Sequence, residues 1–203
     1  MYDGYVLVNP GEDPMDYLED GYVYMRYKYV IEGPPLSTYH RDVTSSSSIF
    51  NTQHPTYTYL TYNYDGNFLS VCPGSHRAWT CEFPITLSGR RGGGVLFDCD
   101  LVHGGLKGPN GVSRIATQYK IVHYDDIPLL LHLDSVDVCK RGTVIPLWQE
   151  ICMRITSYIF VVPIQWFAGS LLHRQYSGFL GFLQRLIPIN HYNNYKGKGG
   201  KSN

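Results

Sequence analysis

Three side chains of the sequence combine the residue types and the spacing needed to bind a metal ion. His40 and Asp42 are separated by one residue, and in an extended segment such a pair points to the same side of the chain. The third ligand must come from elsewhere in the fold. His103 is the candidate, because it follows the strand-like residues 94–97 and precedes two glycines. Two histidines and one carboxylate occupy one face of an octahedral ion and leave three positions open, an arrangement typical of non-haem iron(II).

Arg114 adds a group that binds carboxylates. The His-x-Asp pair alone is a weak signal, because it more often marks a surface loop. Arg114, however, follows His103 by eleven residues and opens the strand-like residues 115–119. The planar fork of arginine suits bidentate capture of a carboxylate. A dicarboxylate that chelated the metal at one end would therefore present its far carboxylate to Arg114.

Length, charge and cysteine usage set the broad class of protein. The 203 residues are enough for one compact domain with its own core. The formal net charge is zero, which gives no indication of nucleic-acid binding. The five cysteines form no Cys-x-x-Cys pair, and the first residues do not read as a signal peptide. We therefore expect an intracellular, cytoplasmic protein whose thiols stay reduced.

Alternating tyrosine, valine and threonine residues predict a mainly β fold. Short strands separated by Gly-rich turns are typical of two packed antiparallel sheets or a barrel. The candidate strands are residues 57–63, 68–71, 94–97 and 115–123.

Residues 1–125 hold these strands, and the pattern changes after them. We expect residues 126–190 to form a helical, hydrophobic extension and residues 191–203 to form a flexible basic tail. The uncharged run 156–172 is shorter than the roughly 20 residues that a membrane helix needs. Packing helices broken near Pro163 are therefore favoured. The alternative is a membrane-dipping hairpin or anchor, with interfacial residues Trp166, Arg174 and Arg185.

The order of the motifs resembles that of the phytanoyl-CoA dioxygenase-like family of 2-oxoglutarate oxygenases. Residues 71–76, Val-Cys-Pro-Gly-Ser-His, resemble the Pro-Gly-Ser-His turn of the family, and residues 93–105 resemble the segment that carries its distal histidine. The resemblance covers about residues 26–123. The other matching positions are His40 and Asp42 for the first two ligands, and Asn110, Ser113 and Arg114 for an asparagine, a polar residue and the cosubstrate-binding arginine.

The resemblance implies a double-stranded β-helix, or jelly-roll, core and a dioxygenase that uses iron(II), 2-oxoglutarate and dioxygen. His40, Asp42 and His103 would hold the metal, and Arg114 would bind the cosubstrate. The products would be a hydroxylated small organic molecule, succinate and carbon dioxide. Halogenating relatives lack the carboxylate ligand, so the presence of Asp42 implies hydroxylation.

The sequence leaves two points open. A second contact to the cosubstrate could come from Thr117 or from a tyrosine such as Tyr59. The chain could also be a jelly-roll binding or structural protein without turnover, tethered to a membrane by its C-terminal third, because a fold does not by itself fix a function.

Other motifs give weaker signals. His40-Arg41-Asp42 also occurs in protein kinases, but Ser47 stands where the kinase motif has asparagine. Ser75 and His76 belong to no hydrolase elbow, so we expect a structural turn there. No spacing indicates a metal at the other histidines, which we expect to be structural or surface residues: His54, His123, His132, His173 and His191.

Overall fold

The computed structural model describes residues 1–77, 83–161, 163 and 192–194, which form mainly β-strands. The strands are β1 (Tyr5–Val8), β2 (Tyr22–Tyr24), β3 (Tyr27–Glu32), β4 (Tyr57–Tyr62), β5 (Gly66–Val71), β6 (Ile85–Gly89), β7 (Gly94–Asp98), β8 (His103–Gly105), β9 (Ile115–His123), β10 (Val136–Gly142) and β11 (Tyr192–Asn194). The helices are α1 (Ser47–Phe50) and α2 (Leu147–Thr156), with 3₁₀ turns at Pro14–Tyr17, Ser75–Arg77, Tyr124–Leu129 and Leu131–Leu133, and a π-helical turn at Ser157–Val161.

The strands form two sheets. The large sheet has the order β1-β7-β4-β9-β3-β10-β11, with β2 also paired to β9, and the small sheet has the order β6-β5-β8. His40 extends the small sheet through an antiparallel bridge to His103 at the start of β8. From β3 to β9 the chain therefore passes back and forth between the sheets. This winding is that of a jelly roll, so the predicted fold class is confirmed.

One apolar cluster joins the two sheets. Leu60 and Phe97 from the large sheet pack with Leu69 and Leu87 from the small sheet. All four side chains are buried, and burying such a side chain stabilises a fold by about 1.5–3 kcal/mol. The sheets thus face each other across a common interior.

Strand alternation decides which side chains enter that interior. On β4, Leu60 and Tyr62 belong to the inner cluster, whereas Tyr57 and Tyr59 belong to a second cluster on the outer face of the large sheet. The pairing of β4 with both β7 and β9 keeps this register, since Leu60 lies opposite Val95 and Gln118. Even-numbered residues of β4 and β9 consequently point inward.

The predicted strands are confirmed as β4, β5, β7 and β9, with bounds that differ by no more than two residues. Beyond residue 125, β10 pairs in parallel with β3 and so extends the large sheet. Helix α2 follows, with Glu150 in its first turn and Arg154 in its last, as the helix dipole favours.

The C-terminal predictions fall partly outside the described residues. Of the extension 126–190, which was expected to be helical, residues 126–161 and 163 are described, and they contain the strand β10 as well as α2. No helix among the described residues is long and apolar enough to cross a membrane. Residues 192–194 form β11 against β10. The other residues of the predicted tail, and Trp166, Arg174 and Arg185 of the predicted extension, lie outside the described part of the chain.

Candidate metal centre

The structure brings His40, Asp42 and His103 together. The backbones of His40 and His103 exchange two hydrogen bonds of 2.9 Å, which places their rings 4.4 Å apart, centroid to centroid. Asp42 Oδ1 lies 3.9 Å from His40 Nε2 and 3.6 Å from His103 Nε2. One ligand atom from each of the three residues thus lies within 4.8 Å of the others.

The second nitrogen of each ring is fixed by the main chain. His40 Nδ1 lies 2.9 Å from the carbonyl oxygen of Thr38, and His103 Nδ1 lies 2.9 Å from that of Leu101. A carbonyl oxygen can only accept, so Nδ1 carries the hydrogen and donates in both rings. In a neutral ring, the lone pair is then on Nε2, the atom that faces Asp42. Metal-binding histidines are commonly oriented in this way.

The two oxygens of Asp42 have different surroundings. Oδ2 accepts hydrogen bonds from Lys120 Nζ at 2.7 Å, Thr58 Oγ1 at 2.7 Å and Gln118 Nε2 at 3.1 Å. Oδ1 faces the two Nε2 atoms instead. The carboxylate is therefore held by one oxygen and presents the other to the histidines.

Electrostatics keeps these groups in the protonation states that metal binding requires. Burial alone would raise the pKa of Asp42, but Lys120 and the two histidines outweigh it and hold that pKa well below its usual range. Burial, aided by His40, lowers the pKa of His103 to about 4. At neutral pH the centre therefore contains an ionised carboxylate and an unprotonated His103, as ligands must be.

Arg41, between the two ligands, anchors their segment from the opposite side. Its buried Nη1 donates to the carbonyl oxygen of Ser75 at 2.8 Å and to that of Asp100. Ser75 Oγ in turn accepts from Val102 N at 2.8 Å. These contacts hold residues 40–42 extended against the loop before β8, and the expected structural role of the Ser75 turn is confirmed.

Arg114 lies just before β9 and is buried. Its Nη1 donates a long bond, 3.4 Å, to the carbonyl oxygen of Gly33, while its Nε has no hydrogen-bond partner among the described residues. The guanidinium also lies 5.7 Å from the ring centre of Tyr62. Because side chains alternate along an extended chain, Arg114 lies on the same face of the sheet as Gln118. Gln118 follows it by about 13 Å along the chain. This buried cation is thus only partly satisfied.

The two residues suggested for a second cosubstrate contact point away from this interior. Thr117 follows the inward-facing Ala116 of β9 and so faces the other side of the sheet. Tyr59 belongs to the outer cluster and lines an open groove of about 820 Å³ together with Tyr24 and Tyr119. The register of the large sheet therefore turns both side chains away from the interior that holds the three ligands.

The residues that hold Asp42 were not found from the sequence. Gln118 and Lys120 occupy alternate positions of β9, and Lys120 is only 1% exposed. Their spacing of two was the available signal, since polar side chains repeated on one face of a buried strand need partners there. Thr58 gave no signal, because threonine is ordinary in a strand.

Helix α2 contacts the ligand-bearing strands from outside. Arg154 Nη1 lies 3.4 Å from the carbonyl oxygen of Ser37 and 3.3 Å from that of Gly105, and Nη2 donates to Tyr39 Oη at 2.8 Å. Tyr39 precedes His40 in sequence, and Gly105 lies two residues after His103. The described start of the C-terminal third therefore packs beside the centre.

No family model matches the chain, and no curated protein matches it either. The chain does match solved structures. EvdMO1 matches 54% of this chain, with 15% identity and a TM-score of 0.42. SnoN, a non-haem α-ketoglutarate-dependent epimerase from nogalamycin biosynthesis, matches 60% with 13% identity and a TM-score of 0.42. EvdO2 from Micromonospora carbonacea var. aurantiaca, complexed with 2-oxoglutarate, matches 54% with 17% identity and a TM-score of 0.36.

The chain spans different shares of these proteins: 29% of EvdMO1, 78% of SnoN and 55% of EvdO2. At these identities and TM-scores, the similarities carry no weight for the chemistry of this chain. The resemblance to the phytanoyl-CoA dioxygenase-like family stays a prediction, and the function has to be inferred from the side chains of the site.

Proposed function

We propose that the protein is an iron(II)- and 2-oxoglutarate-dependent dioxygenase that hydroxylates a small organic substrate. His40, Asp42 and His103 bind the metal, and Arg114 binds the cosubstrate. The observation that carries this proposal is the orientation of the ligands: both Nδ1 atoms are tied to carbonyl oxygens, so two Nε2 atoms and one free carboxylate oxygen converge.

The donor set fits iron(II). In an octahedral ion with bonds of about 2.1 Å, neighbouring ligand atoms lie about 3 Å apart. The distances from Asp42 Oδ1 to His40 Nε2 and His103 Nε2, 3.9 and 3.6 Å, are slightly longer, so small side-chain movements suffice. Oδ2 is already occupied by Lys120, Thr58 and Gln118, which favours monodentate coordination and leaves three positions for other ligands.

The surroundings of Arg114 fit the far carboxylate of 2-oxoglutarate. A buried guanidinium is costly unless it is paired and hydrogen-bonded, and Nε of this one has no partner among the described residues. A carboxylate would supply the missing charge and accept in bidentate fashion. Tyr62, whose ring lies beside the guanidinium, would form a wall of the same pocket.

With iron, 2-oxoglutarate and dioxygen bound, the cofactors supply the oxidative chemistry, and succinate and carbon dioxide are the coproducts. The chain itself orients the reactants. Lys120 keeps Asp42 ionised and in one rotamer, the two carbonyl oxygens keep Nε2 of each histidine directed at the metal, and Arg114 sets the direction of the cosubstrate. The inward apolar side chains of the jelly roll exclude water from this region.

The test is to add iron(II) and 2-oxoglutarate to the full chain without oxygen and to record the weak visible absorption of the chelate. We expect the band in the wild type and in His132→Ala, an exposed histidine whose ring contacts Thr44 and Phe50 and none of the three ligands. We expect its loss in His103→Ala. Succinate release on admission of oxygen would then serve to screen substrates.

The proposal fails if the folded wild type shows no band at saturating iron(II) and 2-oxoglutarate, or if His103→Ala keeps the full band. The first result would favour the other interpretation of the sequence, a jelly-roll binding or structural protein without turnover. Circular dichroism of all three proteins shows whether each is folded.

A further inference from the structure

A second group of ligand-type side chains lies where β9 ends. His54, His123 and Asp126 each offer one ligand atom, and the three atoms lie within 4.8 Å of one another. The rings of His54 and His123 are stacked, with centroids 3.7 Å apart. The pairing of β4 with β9 brings these residues together, since Tyr57 lies opposite Ile121. Sequence spacing therefore could not indicate this group.

Asp125 adds a further carboxylate oxygen. Its Oδ2 lies 3.4 Å from His123 Nδ1 and 3.9 Å from His54 Nε2. Neighbouring ligand atoms around a tetrahedral ion with bonds of 2.0–2.1 Å are about 3.3 Å apart. The first distance is close to this value, and the second is about 0.6 Å longer. Because an imidazole lone pair lies in the ring plane, metal binding requires the partly exposed His54 ring to turn out of its stack on His123, together with a rotation of Asp125.

The surroundings decide which atoms can reach an ion. His123 Nε2 faces Gly21, where an added Cβ would come within 2.2 Å of that nitrogen. Nδ1 is the ring nitrogen that faces Asp125, and it accepts a long bond, 3.4 Å, from Asp125 N. The His54 and Asp125 side chains are 37% and 45% exposed, which leaves a route from solvent.

Asp126 is the fixed part of the group. It is 1% exposed, and its two oxygens accept the backbone N–H groups of Gln53 at 2.8 Å and His54 at 2.9 Å. Each carboxylate oxygen has a second lone pair, so one of them can still bind an ion. These bonds hold the loop that carries His54 against the turn after β9.

We propose that His54, His123, Asp125 and Asp126 bind a second divalent transition metal of the zinc type. Imidazole nitrogens and carboxylate oxygens are ligands that zinc accepts. The ion ties the loop before β4 to the end of β9, the two strands that carry Thr58 and Lys120. The site shares no ligand with the His40, Asp42 and His103 centre, so it does not depend on the proposed oxygenase function.

The test uses the full chain as a His40→Ala/His103→Ala variant, which removes the first centre. We expect calorimetric titration to show one equivalent of Zn²⁺, and Co²⁺ to give the intense visible bands of tetrahedral cobalt. Adding His54→Ala should raise the Zn²⁺ dissociation constant at least about 10–100-fold, the range found even for outer-shell partners of metal ligands. Adding His132→Ala instead is the matched control and should change nothing.

A parallel measurement avoids the double variant. The wild type should bind two equivalents of Zn²⁺, and Asp125→Asn, which keeps the side-chain shape at a partly exposed position, should bind one with full affinity and one weakly. The inference is overturned if the His40→Ala/His103→Ala variant binds no Zn²⁺. It is equally overturned if neither His54→Ala nor Asp125→Asn weakens binding, because the metal would then lie at other residues.

Discussion

Lys120 Nζ lies 2.7 Å from Asp42 Oδ2 inside the jelly roll, where Lys120 is 1% exposed. The same ammonium donates to Ser45 Oγ at 2.8 Å and Thr58 Oγ1 at 2.7 Å, so all three of its hydrogens are used. Burial would lower the pKa of Lys120, but Asp42 more than compensates, and the net shift is upward. The pair therefore stays charged, and it fixes the carboxylate in the orientation that directs Oδ1 toward the histidines.

Removing Lys120 should destabilise the protein strongly. Lys120→Met leaves Asp42 as a buried carboxylate without its cation, and breaking such a pair from one side costs about 3–5 kcal/mol of unfolding free energy. Urea unfolding followed by circular dichroism measures the loss. Lys28→Met, at an exposed position of β3, is the control and should stay within about 0.5 kcal/mol of the wild type. Equal stability of the two variants would contradict the role given to Lys120.

The spacing rules of strands predicted metal ligands of this centre but not the residues that hold Asp42 in place. The i, i+2 rule placed His40 and Asp42 on one side, and the structure brings both of them to His103. Lys120 could not be found in the same way, because a lysine in a strand is usually solvated and only the folded register shows that it points inward. Sequence patterns often fail at functional sites, because buried polar side chains there depart from the usual alternation of apolar inward and polar outward residues.

The fold itself was predictable because turn residues and alternating side chains are local signals. The face to which each side chain points was not predictable, and that is why Thr117 and Tyr59 could be suggested as contacts to the cosubstrate. On β9, the apolar Ile121 belongs to the outer cluster, while the polar Gln118 points inward to Asp42. Because the apolar Ala116 of the same strand belongs to the inner cluster, the apolar pattern alone does not show which face of β9 points inward.

Arg114→Lys should weaken 2-oxoglutarate binding and leave the fold intact. Lysine keeps the positive charge but loses the planar fork that matches a carboxylate. We expect the dissociation constant to rise at least about tenfold, which corresponds to about 1.4 kcal/mol. Titration of the iron(II)-loaded protein with 2-oxoglutarate, without oxygen, measures it. Arg90→Lys, at an exposed turn, should bind as the wild type does. Unchanged affinity in Arg114→Lys would remove this residue from the cosubstrate site.

Asp98→Asn should change how stability depends on pH. Burial raises the pKa of Asp98 to about 7, so the folded state holds a proton that the unfolded chain releases near pH 4. The stability that this proton supplies is complete below pH 4 and is lost as the pH rises toward 7, by about 1.4 kcal/mol per pH unit. Asparagine can still accept the 2.8 Å hydrogen bond from Asp100 N but does not ionise.

The difference in unfolding free energy between Asp98→Asn and the wild type isolates this effect, because other groups titrate in both proteins. Between pH 4 and 7 we expect the unfolding free energy of the variant to increase relative to that of the wild type. Above pH 7 this difference should stay constant. Urea unfolding at several pH values, with a chelator present, gives the curve. A difference that does not vary with pH would show that Asp98 is ionised throughout.

Arg154→Met should destabilise the segments that flank the metal centre and weaken its binding of iron(II). The guanidinium contacts Tyr39 and the carbonyl oxygens of Ser37 and Gly105, and it stacks on the Tyr39 ring at 4.6 Å. Hydrogen bonds to a charged group contribute about 1.5–3 kcal/mol, and we expect a loss of unfolding free energy in that range. Because the contacts flank His40 and His103, the variant should also bind iron(II) more weakly.

The matched control for Arg154 is Arg141→Met. Arg141 forms a pair with Glu32 at 3.4 Å, but its side chain is 60% exposed, and exposed pairs contribute little. Its loss should leave both unfolding free energy and iron(II) affinity nearly unchanged. If Arg154→Met is destabilised but binds iron(II) as tightly as Arg141→Met does, helix α2 only supports the fold. If both properties fall together, α2 also positions the strands that carry the two histidines.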